Sequence, residues 1–415
     1  AGMTAANRLA TLGRSVLLIE QHFKLGGLAT WFKRGDHVFD VSLHGFPVGM
    51  VKSMRKYWSK ELADAIEQLP AIRFVNPQFE LTTTFSREDY TEKMVGHFGV
   101  ARQTVEDFFA FTRAMNFYDD QSMTTGALFE KFFPGRSDIV RFLMEPITYA
   151  NGSSLADPAI TYGIVFSNFM SKGVYIFKGG TDRMVRMMQA ILKDNGVDVR
   201  LNAKAERIVV EDGAVAGVVA NGTFVRAKAV LSNANLPKTV DELVGTDRFP
   251  AEFAAESGKV RLNNSSCQVY IGIRKGETIP NIGDLLFTSD RESFSSESLM
   301  DFPPTSRTFS MYYPDTRPDR EPDYTIVQST NANYDDWAGL SPEDYRAKKL
   351  RLEDDALEKL ERLLPGVTDI VDHCEGATPL TFERYTLHRK GSSFGTTFEG
   401  LPVSQNLHEH VRGLY

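Results

Sequence analysis

The sequence is poor in cysteine and in long apolar runs, and each shortage excludes a class of protein. Cys267 and Cys374 are the only cysteines among 415 residues. Two cysteines support neither a disulfide framework nor a zinc site, and they suit a reducing cytosol. No apolar run approaches the roughly 18 residues that span a bilayer, and the sequence opens without a signal peptide. We therefore expect a cytoplasmic protein, with peripheral membrane contact left open.

Positive charge and catalytic motifs are also scarce. The formal net charge is −7 and the pI is about 5.7, which argues against a nucleic-acid partner because phosphate binding needs clustered positive charge. The sequence has no H-E-x-x-H motif and no recognisable Ser-His-Asp spacing, so no metal site or hydrolytic triad is predicted. The remaining composition is that of an ordinary globular protein, and its length suggests two domains.

The first 27 residues read as part of a dinucleotide-binding βαβ unit. An Ala-rich helix is predicted from Gly2 to Ala10, and an apolar strand from Ser15 to Glu20. An acidic residue at the end of such a strand is positioned to accept hydrogen bonds from an adenosine ribose. The helix N-terminus at Gly2 would favour a pyrophosphate, because its free N–H groups and dipole attract negative charge.

The next glycines belong to a segment that resembles a known family. Glu20, the pair Gly26-Gly27 and the segment 35–40 together resemble the FAD-binding opening of the phytoene desaturase, carotenoid isomerase and retinol saturase group, within the amine-oxidase-like flavoproteins. The resemblance implies that Glu20 holds the FAD ribose and that the glycine pair passes the pyrophosphate. A glycine pair also lets a bulky ligand approach the backbone closely.

A second block and a third segment resemble the same group. Between residues 178 and 234 a glycine-containing turn, a helix, a strand and a β-meander follow one another, with Asn221-Gly222 as a strong hairpin turn. By this match, Ala205 would contact the adenine through its backbone. Residues 376–386 resemble the family's Thr-Pro segment, which returns toward the flavin.

Three residues are predicted to act in catalysis. His44 follows the segment that leaves the first cofactor-binding region, so its imidazole would approach the flavin or the substrate. Glu383 and Arg384 lie on the Thr-Pro segment, where a carboxylate would relay protons and a cation would stabilise an anionic reduced flavin. A buried structural histidine and a structural ion pair are the alternatives.

The resemblance implies an α/β fold in which a Rossmann-like FAD-binding domain, of the glutathione-reductase and amine-oxidase type, is interleaved with an α+β substrate domain of mixed sheet and helices. The cofactor domain is predicted at 1–45, 161–236 and 373–415. The substrate domain is predicted at 46–160 and 237–372. Both termini are expected to be truncated within cofactor-binding motifs.

The function implied is that of an FAD-dependent oxidoreductase acting on a long apolar polyene or isoprenoid. Desaturation, saturation or isomerisation would proceed at flavin N5. Whether NAD(P) serves as the electron donor or acceptor is left open. Two alternatives remain, an amine-oxidase-like flavoenzyme and a non-enzymatic binder of prenylated proteins that shares the fold.

The pattern also makes local predictions for the substrate domain. Gly49 to Leu69 is interpreted as one amphipathic helix. Alternating apolar residues predict one strand from Phe74 to Phe85. Phe-rich helices are predicted at 91–117 and 127–133, and a charged helix from Glu343 to Leu364.

Overall fold

The computed structural model describes residues 1–41, 45–116, 122–167, 171–397 and 400–415. The helices, in chain order, are α1 (Gly2–Thr11), α2 (Gly49–Tyr57), α3 (Lys60–Asp64), α4 (Arg87–Glu92), α5 (Arg102–Ala114), α6 (Thr125–Phe132), α7 (Ser137–Asn151), α8 (Ala159–Val165), α9 (Gly180–Asp194), α10 (Ala251–Lys259), α11 (Asp335–Ala338), α12 (Pro342–Leu363), α13 (Pro379–Thr386), α14 (Gly400–Gln405) and α15 (Leu407–His410). The strands are β1 (Leu17–Ile19), β2 (Trp31–Arg34), β3 (His37–Asp40), β4 (Phe46–Pro47), β5 (Ile66–Gln68), β6 (Ile72–Val75), β7 (Glu80–Thr83), β8 (Val174–Phe177), β9 (Asp198–Arg200), β10 (Ala205–Glu211), β11 (Ala214–Ala220), β12 (Thr223–Arg226), β13 (Ser265–Ile273), β14 (Leu285–Ser289), β15 (Ser306–Tyr312), β16 (Thr325–Ala332) and β17 (Val371–Ala377).

The first region of the fold is built on a parallel strand pair. β1 pairs with β9, and Leu18 lies opposite Val199. The apolar faces of α1 and α9 pack into one core, to which Met184 and Leu192 contribute. Parallel strands need a long connection, here the chain between β1 and β9, and such a connection is typical of dinucleotide-binding sheets.

A three-stranded meander follows β9. β10, β11 and β12 pair antiparallel in sequence order. Asn221 and Gly222 form the turn between β11 and β12, with φ values of 46° and 72°. Positive φ at both central residues is what a type I′ hairpin turn requires, so the predicted turn is confirmed.

The largest sheet has the strand order β17-β13-β16-β15-β14-β6-β7. Its strands pair antiparallel, except that β6 and β14 run parallel. α12 buries Leu352, Ala356 and Leu360 against one face of this sheet. A Phe-rich core joins β6, β7 and β14 to α5, α6, α7 and α8.

Three local predictions are wrong. The predicted helix at 91–117 is interrupted, because α4 ends at Glu92, a π-helical turn covers Lys93–His97, Gly99 has a φ of 67°, and α5 begins only at Arg102. The segment from Gly49 to Leu69 is not one helix, because α2 ends at Tyr57, Ser59 caps α3 through Leu62 N at 3.1 Å, and β5 follows. The segment from Phe74 to Phe85 is not one strand but the hairpin β6–β7. The side chain of Asn76 forms the turn of this hairpin, because its Oδ1 accepts hydrogen bonds from the backbone N–H groups of Gln78 and Phe79. These local hydrogen bonds favour a turn over a continuous strand.

Within the ranges that the structure describes, no helix is both long enough and apolar enough to cross a bilayer.

Candidate functional site

The predicted ribose-binding carboxylate lies where two cofactor segments meet. Glu20 follows the last residue of β1, is half-buried, and accepts a hydrogen bond from His22 N at 2.8 Å through Oε1. Its backbone carbonyl accepts from Ala203 N at 2.9 Å. Ala205 begins β10 two residues later. The structure thus brings the segments of Glu20 and Ala205 together.

The N-terminus of α1 is electrostatically open to an anion. Ala1 provides no capping side chain, and the first turn of α1 contains no acidic residue. The Gly2 N–H instead donates to Asn233 Oδ1 at 2.6 Å, which comes from the end of the second cofactor segment. Because the helix dipole is left uncompensated by a carboxylate, an anionic ligand is favoured at this end.

The two glycines of the pair have different surroundings. A Cβ on Gly26 (φ 118°) would lie 2.6 Å from Ala29 O and 3.1 Å from the side chain of Val185 on α9. A Cβ on Gly27 (φ 61°) would meet no atom within 4 Å. Gly26 is therefore required for close packing, whereas the backbone of Gly27 borders open space in which a ligand would fit.

A buried charged group joins three segments that the sequence analysis did not connect. Asp40 ends β3, and its Oδ1 accepts hydrogen bonds from Thr181 Oγ1 at 2.6 Å and from Thr181 N at 3.2 Å. Thr181 lies in the first turn of α9, so the Asp40 carboxylate also interacts with the positive end of that helix dipole. Arg317 Nη2 lies 3.2 Å from Asp40 Oδ2, and both side chains are only 4% exposed.

The guanidinium of Arg317 is held by several groups. It donates to Val38 O at 2.5 Å, and its Cζ lies 4.7 Å from the ring centre of Tyr312. Burial is the largest single influence and lowers the pKa of Arg317, but Asp40, Tyr312 and Asp182 together outweigh burial and leave that pKa above its ordinary value. A cavity of about 10 Å³ lies beside Asp40, Thr181 and Arg317, which is roughly the space for one water molecule. Arg317 therefore stays charged and holds the 314–323 region against the cofactor segments.

The predicted catalytic residues lie in different surroundings. Glu383 on α13 is half-buried, and its carboxylate accepts hydrogen bonds from Tyr334 OH at 2.5 Å and from Lys390 N at 3.3 Å. The hydrogen bond to Glu383 raises the pKa of Tyr334 to about 12. Arg384 is exposed, with its Cζ 5.6 Å from the ring centre of Tyr385. His44 lies outside the described residues.

The described residues fit the adenosine and pyrophosphate half of FAD. Glu20 offers a carboxylate for ribose hydroxyls, the α1 N-terminus offers N–H donors, and Gly27 offers backbone beside open space. This combination of donors and acceptors suits a dinucleotide. Sequence reasoning had found each of these residues. Sequence reasoning missed the group of Asp40, Thr181 and Arg317. The available signal for this group was the glycine pair Gly179-Gly180 at the start of α9.

Comparisons with known proteins identify the family of the chain. The profile of the family described as flavin containing amine oxidoreductase matches residues 1–374. The chain is therefore a flavin-dependent oxidoreductase. It belongs to the flavin-containing amine oxidoreductase family, and the predicted superfamily, enzyme class and flavin cofactor are confirmed.

Individual relatives cover nearly the whole chain. A chloroplastic prolycopene isomerase from Daucus carota is 24% identical over 442 residues, covering 97% of this chain and 71% of the relative. A 4,4'-diapolycopene oxygenase from Methylomonas sp is 26% identical over 444 residues, covering 95% of this chain and 86% of the relative. The solved structure of an oxidoreductase from Methanosarcina mazei is similar with a TM-score of 0.67 at 13% identity, covering 100% of this chain and 91% of that one. The structural likeness confirms the predicted flavoprotein fold.

Proposed function

We propose that this protein is an FAD-dependent oxidoreductase that desaturates, saturates or isomerises a long apolar polyene of the carotenoid kind. The observation that carries the proposal is that the isomerase from Daucus carota and the oxygenase from Methylomonas sp match 97% and 95% of this chain. The match therefore includes the helical region that would receive the substrate as well as the cofactor segments.

An aromatic layer in that region supports an apolar substrate. Rings in contact lead from the large sheet through the helices, with neighbouring centres 5.0 to 5.5 Å apart. In order they are Phe287, Phe74, Phe142, Tyr90, Phe166 and Phe108. A flat conjugated chain has a π surface like that of an aromatic ring, so it can make the same edge-to-face and offset contacts with these rings.

The chain's own residues would bind the cofactor and position the reacting groups. Glu20 would accept the ribose hydroxyls, and the first-turn amide groups of α1 would bind the pyrophosphate. A bound flavin supplies a hydride acceptor or donor at N5. Glu383 and His44 are proposed to move protons at the reacting end. The division into cofactor segments at 1–45, 161–236 and 373–415 around a substrate domain is part of the same proposal.

Product analysis tests the proposal. The FAD-loaded protein in liposomes would be incubated with phytoene or with poly-cis lycopene, once with oxidised FAD and a quinone, and once with chemically reduced FAD. Chromatography with absorbance detection separates products by the number and geometry of their double bonds. Parallel reactions with NADH and NADPH test the open question of a nicotinamide donor.

We expect a changed polyene in one flavin state and no change without FAD. Glu20→Gln serves as the matched control, because it weakens cofactor binding and leaves the aromatic layer intact. Unchanged polyenes in both flavin states, together with peroxide release from an amine such as putrescine, would contradict the proposal in favour of an amine oxidase. Retention of a prenylated protein by a flavin-free preparation would favour the non-enzymatic alternative.

A further inference from the structure

α7 carries a row of polar side chains into the apolar core. Arg141, Glu145 and Tyr149 are spaced four residues apart, so they lie on one face of the helix. We call these three residues the α7 polar row. The side chains of Arg141 and Glu145 are each 1% exposed, and the hydroxyl of Tyr149 is buried.

The polar row has hydrogen-bonding atoms without protein partners. Arg141 uses Nη1 to contact Asn76 Oδ1 at 3.0 Å and Nη2 to contact Arg291 O at 2.8 Å. Its Nε has no hydrogen-bond partner in the described ranges and lies 4.0 Å from Glu145 Oε2. Within the same ranges, Glu145 Oε1 and the Tyr149 hydroxyl also have none. Buried polar groups are normally paired, so three unpaired groups on one helix face need a functional explanation.

The protonation of Glu145 makes the row a neutral hydrogen-bonding surface near two cations, Arg141 and Arg307, both of which act on Tyr149. Burial raises the pKa of Glu145 to about 8, and the charge of Arg141 opposes this only in part. At neutral pH the carboxyl group is therefore mostly protonated, so it can both donate and accept a hydrogen bond. Burial also raises the pKa of Tyr149, which keeps its hydroxyl proton available as a donor.

The α7 polar row lies next to the aromatic layer, and the C-terminal end of α7 lies near the segment that follows α13. The ring centre of Tyr149 lies 5.9 Å from that of Phe287, the first ring of the layer. At the C-terminal end of α7, Asn263 Nδ2 donates to Asn151 O at 2.5 Å, and Asn263 N donates to Gly395 O at 2.9 Å. Tyr149 thus adjoins the first ring of the aromatic layer, and the C-terminal end of α7 is connected through Asn263 to the chain that follows α13.

We propose that the α7 polar row binds the oxygen of a hydroxyl or carbonyl end group on an otherwise apolar polyene. This inference rests on the proposed function and narrows its substrate class from hydrocarbons to oxygen-bearing polyenes. A carbonyl oxygen would accept from the Tyr149 hydroxyl and the Glu145 carboxyl group, and a hydroxyl would also donate to Glu145. The rest of the ligand would lie along the aromatic rings.

Binding of two matched ligands tests the inference without turnover. The probes are 4,4'-diapolycopene and 4,4'-diapolycopen-4-al, which share one carbon chain and differ in a terminal aldehyde oxygen. Quenching of tryptophan fluorescence in the FAD-loaded protein, with the ligands delivered in detergent, gives both dissociation constants. We expect the aldehyde to bind roughly tenfold more tightly, as one or two buried hydrogen bonds allow.

Variants separate the polar row from the rest of the core. Tyr149→Phe and Glu145→Leu should bring the ratio of the two affinities toward one and leave hydrocarbon affinity unchanged. Tyr162→Phe is the control, because its hydroxyl is also buried without a partner among the described residues but belongs to α8. Tyr149→Phe should keep or raise the melting temperature, since it removes a hydroxyl that has no hydrogen-bond partner among the described residues. A structural role of this hydroxyl would lower the melting temperature. Glu145→Leu is left out of this comparison, because Glu145 Oε2 lies 4.0 Å from Arg141 Nε in a buried pair.

Each outcome supports or contradicts a separate claim. A ratio near one in the unsubstituted protein, or a ratio that neither variant changes, would overturn the inference while leaving the proposed function intact. Failure of both polyenes to bind would contradict the proposed function and the inference together. A lower melting temperature of Tyr149→Phe would show that its hydroxyl serves the fold, and would overturn the inference.

Discussion

Replacement of Arg317 by methionine removes the cation from the buried group that joins β3 to α9. Arg317 and Asp40 are both 4% exposed, and methionine keeps most of the volume and apolar contact of the arginine stem. Breaking a buried ion pair from one side costs about 3 to 5 kcal/mol, because a buried charge is left without its partner. The two hydrogen bonds from Thr181 to Asp40 remain, so we expect the lower end, about 3 kcal/mol. That is about two orders of magnitude in the folding equilibrium.

Urea denaturation followed by tryptophan fluorescence measures this loss. Arg362→Met is the matched control, because Arg362 pairs with Glu358 on the surface of α12 and the two side chains are 60% and 63% exposed. Exposed pairs of this kind contribute about 0 to 1 kcal/mol. A loss below about 1 kcal/mol for Arg317→Met, equal to that of the control, would refute the reasoning that burial makes this pair structurally important.

Three further outcomes are expected. His37 Nδ1 lies 2.9 Å from Asp323 and Nε2 lies 2.6 Å from Asp372; these hydrogen bonds outweigh burial and raise the pKa of His37. The stabilisation from charged His37 is therefore full below the pKa of an unfolded histidine, near 6.5, and is lost as the pH rises through the raised pKa of folded His37. The unfolding free energy of the native protein should fall over this pH window, and that of His37→Gln should not. Gly26→Ala should lower the melting temperature clearly more than Gly27→Ala, because only the former adds a 2.6 Å contact to the strain of positive φ. Glu20→Gln should weaken FAD binding, measured by flavin fluorescence, roughly tenfold through the loss of a charged hydrogen bond to ribose.

Each of these three predictions has a result that would contradict it. Parallel pH profiles for His37→Gln and the native protein would show that the two carboxylates contribute no pH-dependent stability. Equal melting temperatures for the two glycine variants would mean that the Gly26 loop relaxes freely. Unchanged FAD affinity in Glu20→Gln would remove Glu20 from the ribose site.

Local patterns in the sequence predicted the cofactor region well. The helix after Gly2, the strand before Glu20 and the Asn221-Gly222 hairpin all depend on short-range periodicity and turn chemistry. Such signals act over a few residues, so they are legible without knowledge of tertiary contacts. The family resemblance then supplied the cofactor and the fold, which pattern alone left open.

Contacts between distant residues could not be predicted in this way. Asp40 and Arg317 are 277 positions apart, and nothing in either local pattern indicates that they meet. The turn at Asn76 was hidden inside an alternating apolar pattern that one strand explains equally well. The α7 polar row was missed because Arg141 and Glu145, read alone, look like an ordinary exposed pair spaced four residues apart on a helix surface.

One measurement tests the central claim most directly. The protein is purified after expression in a polyene-producing host and incubation with FAD, its visible spectrum is recorded, and the bound cofactor and lipid are extracted for mass spectrometry. We predict a flavin spectrum with FAD in the extract, accompanied by a polyene or isoprenoid. A colourless protein that takes up no FAD, with a prenylated partner in place of a polyene, would contradict the account.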